Sequence, residues 1–171
     1  MKIGRLLLRV TVGGFFFGHG TQKLFGWFGG NGLDATAQGF EHLGLRPGRR
    51  NAIAAGAAEA GGGALLATGI ATPLAASVLT ATMLTAIRTV HAKNGPWATN
   101  GGYEYNVVLI AAVLALAEDG REHPGRAATG ALLTGALGAL GAHLANASQP
   151  PPPVPEAAES SGATEPSAQD E

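Results

Sequence analysis

The chain has 171 residues, 46% of them hydrophobic and 13% charged, with a net charge of −1 and no cysteine. Charged residues make up about 25% of a soluble domain, so this composition points to apolar surroundings. The charge balance excludes a basic nucleic-acid footprint, and the missing Cys excludes disulfides, thiolate metal sites and CxxC redox chemistry carried by the chain itself.

The first segment opens with Lys2, Arg5 and Arg9, turns apolar at Leu6 and runs to Phe28. A signal peptide also starts basic and turns apolar, but no small-residue cleavage site follows here. Leu6–Phe28 exceeds the ~20 residues that span a bilayer, and Trp27-Phe28 is an interfacial aromatic pair. His19, Gln22 and Lys23 are three and four apart, so they share one helix face. Gly29–Arg50 is a polar loop. Within it, Asp34 can cap a short helix over about Ala35–Leu43, with Phe40 and Leu43 on one face. This helix is either a lid over the bundle mouth or an ordinary surface turn.

Asn51–Ile70 is the second expected span and contains Glu59. Gly56, Ala60 and Ala64, at four-residue spacing, allow close helix packing, and Gly61-Gly62-Gly63 marks a kink or very close packing. Thr72-Pro73 reads as N-cap and first position of a third span to about Ala92, with Arg88 and His91 on one face. The turn before it is short, so spans two and three are antiparallel neighbours. Tyr103-Glu104-Tyr105-Asn106 opens a fourth span ending near Ala117. Ala127–Ala147 is an expected fifth, with Leu133, Leu137, Leu140 and Leu144 on one stripe and Gly130, Thr134, Gly138 and Ala142 on a small-residue stripe. The chain thus divides into a 1–118 core, a 119–147 loop and helix, and a 148–171 tail rich in Pro, Ala and Glu, which is expected to be disordered.

Alternating spans bring the polar groups together. His19, Gln22 and Lys23 end span one, Glu59 lies in the first half of span two, Arg88 and His91 end span three, and Glu104 and Asn106 begin span four. In an up-down bundle all of them fall in the same half of the membrane. Polar groups at membrane depth face a protein interior or water, so these eight form the candidate site. Two uses stay open. Glu59 with Arg88, His19 or Lys23 is a buried ion pair that fixes helix register, or the group is a ligand and proton site. Lys23 can also snorkel to the surface. His19, His91 and Glu59 have no local metal-ligand spacing, so no metal is expected. There is no GxGxxG, P-loop or GxSxG motif.

Gly18-His19-Gly20-Thr21-Gln22-Lys23-Leu24-Phe25-Gly26, Glu59 with Gly62-Gly63 and Gly69, His91 with Gly95-Pro96-Trp97, and Gly102-Tyr103-Glu104-Tyr105-Asn106 together resemble the DoxX family of small bacterial membrane proteins. The resemblance covers about Met1–Ala117. It implies a four-helix core in the cytoplasmic membrane, a cytoplasmic N-terminus and a loose link to redox chemistry, because the family is named after a relative of a thiosulfate:quinone oxidoreductase subunit. Many members have no assigned reaction. The segment after Glu118 departs from the four-span pattern.

The expected protein is all-α, a polytopic membrane bundle of four core helices plus a fifth. Its expected function is that of a redox-associated subunit with a polar pocket for a quinone-like small molecule or a redox partner protein. The alternative is a non-catalytic scaffold or small-solute carrier. Catalysis itself is not decided by the residues. The bilayer is the expected partner, and a homo-oligomer is compatible with the sequence. The balance of Lys and Arg leaves orientation undecided, and the three basic residues leading the first span favour a cytoplasmic N-terminus.

Overall fold

The computed structural model describes residues 3–118 and 124–148, with side chains described over 3–118 and 130–148. The 148–171 tail, apart from Ser148, and most of the loop before the fifth span lie outside the described residues. The regular elements among the described residues are all helices, in the order α1 (Ile3–Phe25), α2 (Gly32–His42), α3 (Gly48–Thr68), α4 (Thr72–Ala86), α5 (Glu104–Ala117) and α6 (Pro124–Ala147), with short 3₁₀ and π turns between them.

The helices α3 and α4 form the centre. α1 and α2 pack on α3, α5 and α6 pack on α4, and α1 also touches α5. The buried apolar core is Val12, Phe16, Leu66, Leu79, Met83, Val113 and Leu116 with alanines between them. The α1–α3 contact is made backbone to backbone. A Cβ added at Gly13 would lie 2.6 Å from the Gly63 carbonyl oxygen, and one at Gly63 would lie 2.5 Å from that of Gly13. Gly20 meets Ala60 and Gly56 in the same way, one heptad further along. The glycine run therefore marks close packing. No kink forms, and α3 stays helical through Gly61-Gly62-Gly63.

Helix ends follow local chemistry, with some shifts from expectation. α1 stops at Phe25 instead of Phe28, because Gly26 enters the left-handed region at φ 72° and Phe28 follows it there at φ 52°. α2 starts at Gly32 with Asn31 as N-cap, which leaves Asp34 in the first turn. There Asp34 accepts a 2.6 Å hydrogen bond from exposed Arg49. α3 ends on Gly69, at φ 78°, whose N–H reaches back to the Leu65 and Leu66 carbonyls. Thr72 is the first residue of α4, and Ala71 is its N-cap, at φ 47°. α4 runs into a π turn over Ile87–His91.

Thr72–Asn94 is long and apolar enough to cross a membrane, and Glu104–Ala117 is a shorter apolar helix. Among the described residues α1 falls below that mark because it carries cations, and α3 because it carries Glu59 among its glycines and alanines. Large apolar side chains nevertheless point outward all round the molecule, among them Leu7, Phe15, Val108 and Leu137, each at least 59% exposed. On α6 the inward face is Ala131 and Gly135, and Gly135 packs against Thr80 of α4. Most of the expected stripe also faces α4: Thr134 donates to Ser77 at 2.8 Å, Gly138 approaches Ala81 and Ala142 lines the cavity beside α4, whereas Gly130 is exposed.

Candidate functional site

Glu59 is brought inside by the glycine face of α3. It is 5% exposed and paired with Lys23 of α1, whose Nζ donates to its Oε2. This pair is one of the three expected for Glu59. The pairing with Arg88, another of the three, does not form: Arg88 is exposed and makes no ion pair with Glu59. Both Arg88 and His91 lie in the π turn, whose wider i→i+5 winding departs from the α-helical spacing that put them on one face; His91 lines a cavity and Arg88 does not.

Two cavities share the Lys23–Glu59 pair as a wall. The first, of about 480 Å³, lies among α1, α3, α4 and α5. Phe15, Phe16, Met83 and Tyr105 line it, and His19, Lys23, Glu59, His91 and Asn106 bring polar atoms to it. Five of the eight candidate residues therefore converge here. Asn106 is 8% exposed and donates to the Met83 sulfur at 3.4 Å, a weak acceptor that leaves most of its amide capacity unused. The second cavity, of about 390 Å³, lies among α3, α4 and α6 beneath α2. A small polar niche of about 250 Å³, lined by His19, Gln22, Lys23, Asn31 and Thr36, opens at the end of α1.

The remaining candidates hold the surroundings. Gln22 sits between His19 Nδ1, at 3.1 Å from its Oε1, and the Phe28 carbonyl, to which it donates at 3.3 Å. It thereby ties the site to the aromatic turn Phe25–Phe28, where the Phe25 and Trp27 rings lie 5.2 Å apart. The His91 Nδ1 lies 2.7 Å from the Gly101 carbonyl, which also accepts from Asn94. Glu104 is exposed and accepts the Ala98 N–H at 2.8 Å, so it closes the 98–104 loop and lines neither cavity. Sequence reasoning missed Phe15, Phe16, Met83 and Tyr105, whose roles depend on helix rotation. It also missed the Asn51–Asn146 hydrogen bond of 3.0 Å, which joins α3 to α6. Among the described residues no cluster of three His, Asp or Glu could hold a metal.

The family model for DoxX matches residues 4–92, which include His19, Gln22, Lys23, Glu59, Arg88 and His91. The chain belongs to the DoxX family. A relative in Bacillus subtilis (strain 168), described as "Putative oxidoreductase CatD", is 36% identical over 115 residues, which cover 67% of this chain and 79% of that protein. No solved structure matches the chain. DoxX proteins are membrane proteins, in keeping with the apolar Thr72–Asn94 helix and the outward-facing apolar side chains. Glu104 and Asn106 lie beyond the matched residues.

Proposed function

We propose that this DoxX protein is a multi-pass protein of the cell membrane, with a cytoplasmic N-terminus, that binds a quinone-like small molecule in the cavity among α1, α3, α4 and α5. The observation that carries this is the convergence of His19, Lys23, Glu59, His91 and Asn106 on one otherwise apolar and aromatic space. Apolar walls with a few convergent polar groups, at 300–1,000 Å³, are the usual form of a small-molecule site. The flat ring of a quinone suits Phe15, Phe16 and Tyr105, and its carbonyl oxygens need donors such as the Asn106 amide and the Lys23 ammonium. His19 and Glu59 are the groups that exchange protons with it. Lys23, in place of Arg88, keeps Glu59 oriented. The oxidoreductase description of the Bacillus relative supports a redox association, with electrons supplied by a partner protein.

The outward apolar side chains on α1, α5 and α6 support a bundle bathed in lipid on several sides, since soluble monomers rarely expose large contiguous apolar patches. A second reading has its own support: a buried ion pair between α1 and α3 also serves a non-catalytic scaffold by fixing register. Thermal unfolding of purified protein with added benzoquinone and naphthoquinone separates the two. A dose-dependent rise in melting temperature that is lost in His19→Ala and Asn106→Ala supports the site. No response to either quinone, with the fold intact, leaves the scaffold.

A further inference from the structure

We propose that the second cavity, beneath α2, is a binding site for one acyl chain of an anionic phospholipid, with its headgroup held by Arg46 and Arg50. The cavity runs beside α4 from Val78 to Val90. At 1.5 Å per residue this is roughly 18 Å, close to one leaflet of a ~30 Å hydrocarbon core. Its α4 wall looks polar in sequence and is apolar in structure. Thr82, Thr85 and Thr89 each donate their hydroxyl to the carbonyl four residues earlier, at 2.9–3.0 Å, and so present methyl groups to the space. An occupant along this wall needs no polar atoms, which fits a hydrocarbon chain and not a sugar, nucleotide or peptide.

The mouth is built differently. Phe40, Leu43 and Leu45 roof it, and Asn51 and Asn146 stand at its edge. Arg46 directly follows Leu45, and Arg50 directly precedes Asn51. Arg49 is engaged with Asp34, whereas Arg46 and Arg50 have no ion-pair partner among the described residues. Both cations are thus one residue along the chain from the slot's lining, and cations beside an apolar slot between helices match an anionic headgroup above a buried chain. The adjoining α6 turns Leu133, Leu137, Leu140 and Leu144 outward, each more than half exposed, so the slot lies one helix away from the surrounding lipid. The inference rests on the membrane placement proposed above; the slot shares the Lys23–Glu59 pair with the quinone site, and there the two charges satisfy each other.

The test uses the full chain in mild detergent. Melting temperature is read with phosphatidylglycerol, with phosphatidylcholine of the same chains, and with inorganic phosphate, and retained lipid is read by native mass spectrometry. Phosphatidylglycerol is expected to stabilise more than phosphatidylcholine, and phosphate not at all. The excess should vanish in the Arg46→Gln/Arg50→Gln variant and in Ala142→Leu or Ala55→Leu, which fill the slot from opposite walls. If one filling variant fails to fold, the other decides. Equal stabilisation by the two lipids, an excess that survives both the charge and the filling variants, or an effect reproduced by phosphate overturns the site. A protein that stays monodisperse without detergent overturns the membrane placement itself.

Discussion

Glu59 and Lys23 show how much a single pairing fixes. Removing one member of a buried pair leaves an uncompensated charge and costs about 3–5 kcal/mol, more than removing both in favour of packed apolar groups. Lys23→Met is therefore expected to lower the melting temperature more than Lys23→Met combined with Glu59→Leu. A double variant that loses the sum of the two single losses would mean that the two are uncoupled. Arg88→Gln, at an exposed position without an ion pair to Glu59, is expected to change stability by no more than about 0.5 kcal/mol in the same assay. The choice of Lys23 over Arg88 was not legible in the sequence. Which cation reaches Glu59 depends on how α1 and the Ile87–His91 π turn are rotated, and residue spacing does not carry that.

Among helices, the α1–α3 contact depends on glycines whose missing side chains are occupied by a neighbour's backbone. Gly20→Ala would drive a methyl group into Ala60 and Gly56. Overpacking of this kind costs about 1–3 kcal/mol, and here it should also loosen the Lys23–Glu59 pair, since Lys23 lies one turn on. Gly14, on the same helix, faces open space, with nothing within 4 Å of where a Cβ would stand, so Gly14→Ala should be neutral or stabilising by up to about 1 kcal/mol. Thermal melts of the two variants check the contrast, and similar behaviour would rule out the backbone contact. The limits at Gly44, Pro47 and Pro73 were legible, because these residues punctuate the chain by mechanisms that act within a few residues, whereas the stop at Gly26 was hidden by the aromatic run that continues to Phe28. The cavities were not. They depend on which way α4 and α5 are rotated, and on threonine hydroxyls choosing their own helix over the space beside them.

For the whole molecule, the bundle places the turn after α1, the start of α3, the loop after α4 and the start of α5 at one end, with the α3–α4 turn at the other. Single Cys at Trp27, Arg50, Lys93 and Asn100, all exposed, should label from one side of the membrane with an impermeant reagent, whereas Cys at exposed Ile70 should not. Mixed labelling of the first four would refute the multi-pass arrangement. The last consequence comes from the bond between Asn51 and Asn146, which joins residues 95 apart in the chain. Chains emerge from synthesis N-terminus first. The roof and two walls of the second cavity are thus complete while its α6 side is still missing, and α6 arrives as a door hung after the room is built. An occupant seated there before α6 packs need not thread its way in past that helix, so part of the lipid found on the purified protein would date from its synthesis.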